Sequence, residues 1–206
     1  MKTVLNYLGQ LRLYSLADLA LLLVATRATT YQFWGAILLH IAFLAYLESQ
    51  HAHTYRENVP TSISYILAIV GLFFFRKIEG LLYLLAGYFY TKKTKNLGWI
   101  SPFFRGLQNI FIVGAITGYA SSFPYIVGLI FFIRNFIGDM RDTEKDRMEG
   151  TKTIPVLLGI KKNIKHVHLF ATITTSIIWG FLSPISITWL AAVIVIEIAT
   201  YNLTPR

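Results

Sequence analysis

Five of the chain's ten acidic residues fall between positions 139 and 149: Asp139, Asp142, Glu144, Asp146 and Glu149. Asp139, Asp142 and Asp146 follow an i, i+3, i+7 spacing, which on one helix brings three carboxylates onto nearly one line of one face. Like charges so aligned repel unless a cation joins them. The run goes on through Arg147 and Lys152 to Thr153-Ile154-Pro155 and Gly159, so helix breakers and basic groups flank the acids. Carboxylates beside Lys and Arg suit a diphosphate held through Mg²⁺, a hard cation that takes oxygen ligands and usually keeps several waters.

A second polar stretch repeats the spacing, with Glu48, His51 and Tyr55 again at i, i+3, i+7 before Asn58-Val59-Pro60. It reads as a helix end that presents three polar groups on one face. The two faces, four helices apart in sequence, are expected to enclose one site.

The elements that must position these groups are apolar. Hydrophobic residues make up 55% of the 206 positions, mean hydropathy is +0.55, and the apolar residues form long blocks instead of stripes. The blocks run from Leu13 to Thr26, Tyr31 to Leu47, Ile63 to Phe75, Ile78 to Tyr90, Gly106 to Tyr119, Phe123 to Ile137, Val167 to Leu182 and Ile185 to Tyr201. They predict an all-α, polytopic membrane bundle of about eight transmembrane helices, forming one domain over residues 1–206. Several blocks are shorter than the roughly 20 residues of a full crossing, so polar flanks must complete them.

Eight crossings put both termini, and the loops after the second, fourth and sixth blocks, on one side with 16 of the 19 Lys and Arg residues. Cytoplasmic loops carry that excess, so both termini and the acidic run are expected to face the cytoplasm of an integral membrane protein. The net charge of +9 is spread over short loops, which argues against nucleic acid and for anionic lipid headgroups or a phosphorylated substrate. The absence of Cys excludes disulfides and thiolate metal sites. The first block has no small-residue cleavage site after it and reads as a retained helix. Asp18 and Glu197 lie inside apolar blocks, where an ionised group is expensive and is either functional or paired with another residue. The aromatic residues, 15% of the chain, suit an interfacial belt or a lining that shields a cation.

The segment Asp139-Met-Arg-Asp142-Thr-Glu-Lys-Asp146-Arg-Met-Glu-Gly150-Thr-Lys-Thr-Ile-Pro155-Val-Leu-Leu-Gly159 resembles the second aspartate-rich motif of the UbiA superfamily of intramembrane prenyltransferases. A weaker resemblance covers Tyr90-Thr91 with Lys92, Lys93 and Lys95. The likeness implies a UbiA-like helical bundle, open to lipid, that moves an isoprenyl group from a prenyl diphosphate to an aromatic, hydroxyl or polyol-phosphate acceptor with Mg²⁺ as cofactor. It implies Asp139, Asp142 and Asp146 as the catalytic metal-binding group, with Glu48 completing the metal set. Glu48, His51, Tyr55, Asn58, Arg147, Lys152 and Lys92 are the implied substrate contacts, although the three lysines from Lys92 to Lys95 also serve as topology signals.

The sequence departs from the family pattern where the first motif usually has three aspartates, because aligning Asn58-Val59-Pro60 with that motif's ending leaves only Glu48 as a carboxylate. The chain also has eight blocks where the family usually has nine helices. A relative that binds prenyl diphosphate or scaffolds a partner without turnover is the alternative, and a transporter with an acidic gate is a third reading.

Overall fold

The computed structural model describes residues 6–7, 9–50, 59–92 and 97–203. His51, Tyr55 and Asn58 lie outside the described residues, as do Lys93 and Lys95. The described elements are helical with no strand among them: α1 (Leu13–Ala25), α2 (Thr30–Gln50), α3 (Thr61–Phe74), α4 (Lys77–Thr91), α5 (Ser101–Thr117), α6 (Phe123–Arg141), α7 (Thr143–Met148), α8 (Ile154–Leu157), α9 (Lys165–Leu182) and α10 (Ile187–Tyr201). Each apolar block of the sequence coincides with one of the longer helices. The two short ones, α7 and α8, lie in the polar segment that follows the acids.

Only α2 and α6 among the described helices are both long enough and apolar enough to cross a membrane, judged by length and composition. Helices α1, α3 and α10, with residues 166–182 of α9, are apolar but shorter. Large apolar side chains stand on the outside of these helices, among them Phe73, Ile78, Phe170, Phe181 and Ile187, each more than 70% exposed.

The interior is built around α1, which packs against α2, α9 and α10, while α6 packs against α5 and α9. Leu22, Leu23, Leu39, Ile112 and Val127 are fully buried there, and the rings of Phe131 and Trp179 stack within it. Helices α5 and α6 cross closely because Gly106 and Gly128 meet: a Cβ on Gly106 would stand 2.8 Å from the Gly128 carbonyl oxygen. Small residues at a crossing let two backbones approach.

The spacing of the acids predicted one continuous helical face, and the chain departs from that. Helix α6 ends at Arg141, Asp142 is the joint (φ −109°, ψ 13°), and α7 starts anew at Thr143. The Met140 carbonyl accepts from Ile164 N–H at 3.0 Å and Glu144 N–H donates to the Asn163 side chain at 2.9 Å, so the two groups a continuing helix would join are engaged elsewhere. The fully buried Thr143 hydroxyl donates back to the carbonyls of Asp139 and Met140. Gly150 (φ 70°) and Gly159 (φ 76°) then end α7 and α8 in the left-handed region, which is what those two positions of the motif require.

Candidate functional site

The joint at Asp142 opens a cavity of about 230 Å³ bounded by the C-terminal half of α6, by α7 and by facing residues of α1, α2, α4, α5 and α9. Four acids line it: Asp139, Asp142, Asp146 and Glu149. Five basic side chains line it as well: Arg12, Arg105, Arg134, Arg141 and Lys145. The remaining wall includes the rings of Tyr14, Phe43, Tyr90 and Phe131.

Local contacts fix the acidic wall. Asp139, 7% exposed, accepts from the Ser101 hydroxyl at 3.5 Å. Asp142 is gripped side-on by the Arg141 guanidinium, with one contact at 2.5 Å and two more at 3.0 and 3.1 Å. Asp146 is also 7% exposed, and its backbone carbonyl accepts from Thr151 N–H at 2.7 Å, folding the following loop back over it. That loop fits closely under the turn at Gly98, where a Cβ would meet Thr151 at 2.8 Å. Glu144 points elsewhere and exchanges hydrogen bonds with Asn163.

Across the cavity, Arg12 holds a left-handed backbone (φ 48°, ψ 56°), a conformation costing on the order of 1 kcal/mol outside glycine. Its guanidinium meets the Glu48 carboxylate at 3.3 Å. Burial opposes the charged form of Arg12, but Tyr14 and Glu48 outweigh it and hold the group above its ordinary value. His168 on α9 faces Gly138, where a Cβ would stand 3.3 Å from its Nε2. Its Nδ1 lies 2.8 Å from the Tyr201 hydroxyl and 3.4 Å from Arg141. Because a guanidinium only donates, Nδ1 is the acceptor in its contact with Arg141.

One cavity arginine is anchored deep in the bundle. Arg134 donates to Asp18 at 2.5 Å and to Thr175 at 2.9 Å, over the face of Phe131. Asp18 also accepts from Ser176 at 3.1 Å, and Ser176 makes a very short contact with Glu197. The two carboxyls that stood out in the apolar blocks are thus brought together through one serine, and Asp18 is paired.

The remaining expected site residues lie elsewhere. Glu48 is 2% exposed, engaged by Arg12 and Gln10, and faces an apolar pocket beside Pro60 and Ile63 instead of lining the acidic cavity. Arg147 turns outward to the Ile160 carbonyl, Lys152 is exposed, and Lys92 lies against Gln50 and the Tyr88 ring. None of these three lines the cavity. The arginines that do line it come from three separate stretches of sequence, around residue 12, residue 105 and residues 134–141. Arg141 stands within the acidic run, and for the other three the only signal was a basic residue at the edge of, or inside, an apolar block.

Among the described residues, no three His, Asp or Glu side chains converge tightly enough to hold a bare metal ion. That donor set still fits Mg²⁺, which is ordinarily bound by one or two carboxylates, several waters and the phosphates of its ligand. Asp139, Asp142 and Asp146 are hard-oxygen donors on one cavity wall and are the residues that would hold it. No protein-family model matches the chain, no curated protein matches it in sequence, and no solved structure matches its fold.

Proposed function

We propose that the chain is an intramembrane, UbiA-like prenyltransferase that ionises a prenyl diphosphate and passes the allylic group to an aromatic, hydroxyl or polyol-phosphate acceptor. The observation that carries this reading is the cavity itself, in which three aspartates, four arginines and several aromatic rings converge between helices. Mg²⁺ bound at Asp139, Asp142 and Asp146 would neutralise charge on the departing diphosphate. The chain's own residues do the rest. Arg141 and Lys145 offer donors to phosphate oxygens, so that negative charge is met as the C–O bond breaks. The rings of Phe43, Tyr90 and Phe131, over which the guanidinium groups of Arg105 and Arg134 lie, wall the cavity and exclude the water that would otherwise capture the allylic cation. A cavity of 230 Å³ takes a headgroup, not a long isoprenoid. The tail has to leave it along the apolar helices, whose exposed Phe and Ile side chains support contact with lipid. On this reading the helices form a polytopic bundle of about eight spans, with the acidic loop on the cytoplasmic side.

The test is Mg²⁺-dependent diphosphate release from a panel of prenyl diphosphates and acceptors by the purified chain and by its Asp146→Asn variant. Release should fall about 100-fold or more in the variant. A folded wild-type protein that binds prenyl diphosphate but releases none in any pairing would favour a second reading, a binding or scaffolding relative. One observation supports that alternative: Glu48 is tied to Arg12, so the described acids of the cavity all come from residues 139–149.

A further inference from the structure

The basic side chains around the cavity are not equivalent. Arg12 faces Glu48, Arg134 faces Asp18, Arg141 faces Asp142, and Lys145 lies 3.9 Å from Glu149. Arg105 differs from all four. Among the described residues it makes no ion pair and is held by neutral groups alone. The Gln108 Oε1 accepts from it at 2.6 Å, and its guanidinium lies 5.0 Å over the ring of Phe43 and 5.8 Å over that of Tyr90. A partly buried guanidinium without a counter-ion is costly to keep, unless an anion arrives to complete it.

The support beneath Arg105 is itself built. Gln108 is fully buried, and its Nε2 donates to the Tyr83 carbonyl at 3.4 Å, which fixes which end of the amide faces Arg105. Room for this arrangement comes from Gly87, where a Cβ would stand 2.7 Å from both Gln108 Nε2 and Phe43 Cδ2. Arg105 also lies four residues after Ser101 on α5, so both project from one face of that helix about one turn apart. Ser101 touches Asp139, and one edge of α5 therefore carries a contact to the acidic wall and, a turn further on, the uncompensated cation.

We propose that Arg105 is a direct, metal-independent contact for a phosphoryl group of the ligand, and that Gln108 is the residue that positions it. The proposal rests on the reading of the cavity as a diphosphate site. It also gives the α5 side of the cavity a role that needs no second set of carboxylates. The planar, five-donor guanidinium matches two phosphoryl oxygens at once. The phosphoryl group is that of the donor diphosphate or of a phosphorylated acceptor.

Titration calorimetry on the detergent-purified full chain separates these cases, using inorganic diphosphate and glycerol phosphate as probes, each with and without Mg²⁺. Arg105→Gln should weaken diphosphate binding roughly tenfold or more whether or not Mg²⁺ is present. Asp146→Asn should weaken only the Mg²⁺-dependent part. A loss confined to glycerol phosphate keeps the proposal and assigns Arg105 to the acceptor. If Arg105→Gln weakens binding while Asp146→Asn and Mg²⁺ removal change nothing, the Arg105 contact stands and the prenyltransferase reading falls. Wild-type affinity for both probes in Arg105→Gln overturns the proposal. Should that variant not fold, Arg105→Lys decides, because it keeps the charge but loses the fork. Unchanged affinities there overturn the proposal as well.

Discussion

Asp18 and Asp142 each meet an arginine at 2.5 Å, yet the two pairs have opposite surroundings. In the first, the side chains of Arg134 and Asp18 are 7% and 1% exposed, and Thr175 and Ser176 supply further hydrogen bonds. In the second, Arg141 and Asp142 are 11% and 29% exposed at a break between two helices. The same chemistry is therefore fixed in the bundle interior and left open to exchange at the helix joint. A ligand that competes for Arg141 or Asp142 finds water and other donors nearby. One that competed for Asp18 would have to dismantle a packed interface.

Changes to the two pairs should expose this difference. The largest effect belongs to Asp18→Asn, which leaves Arg134 charged and without its carboxylate in the interior. Breaking a buried pair from one side costs about 3–5 kcal/mol, and the loss should appear as a large drop in the thermal unfolding midpoint in detergent. An unchanged midpoint would mean that the network is not holding the bundle together. Next comes Ser176→Ala, which removes the hydroxyl that bridges Asp18 and Glu197 and should cost roughly 1–3 kcal/mol by the same measurement. Asp142→Asn should cost no more than about 1 kcal/mol, since its pair is partly exposed and solvent screens it. Its effect should appear instead as lost Mg²⁺-dependent diphosphate affinity. If Asp142→Asn destabilised the fold as strongly as Asp18→Asn, the joint would be a structural clamp and not an exchangeable site.

The contrast also marks what the sequence made legible. The helices were readable because apolar blocks of the right length have few other ways to bury their backbone, and all eight blocks coincide with helices. The acidic wall was readable because its members are close in sequence. The spacing nevertheless misled at Asp142, since it contains no sign that Asn163 and Ile164, about twenty residues on, would engage the Glu144 N–H and the Met140 carbonyl and so divide the helix there. Arg12, Arg105 and His168 were not legible as cavity residues, because their convergence depends on how α1, α5 and α9 pack around α6. Arg147 and Lys152 lie near the aspartates in sequence but are carried away from the cavity by the turns around Gly150.

The smallest effect is the most informative about the interior. Ser176 has one hydroxyl hydrogen, yet its oxygen contacts carboxyl oxygens of both Asp18 and Glu197. One of those contacts needs a hydrogen from the carboxyl side. Asp18 is ion-paired with the Arg134 guanidinium, so the hydrogen falls on Glu197, which donates to Ser176 while Ser176 donates to Asp18. A glutamine at 197 places an N–H donor where the carboxyl O–H stood. Glu197→Gln should therefore change stability by less than about 1 kcal/mol, although the residue is fully buried. Glu197→Asp, which keeps the carboxyl but draws it back by one methylene, should be the more damaging change in the same unfolding measurement. The reverse order, with glutamine damaging and aspartate tolerated, would show a charged Glu197 and make the interior cluster, like the joint, a place where charge is held ready for exchange.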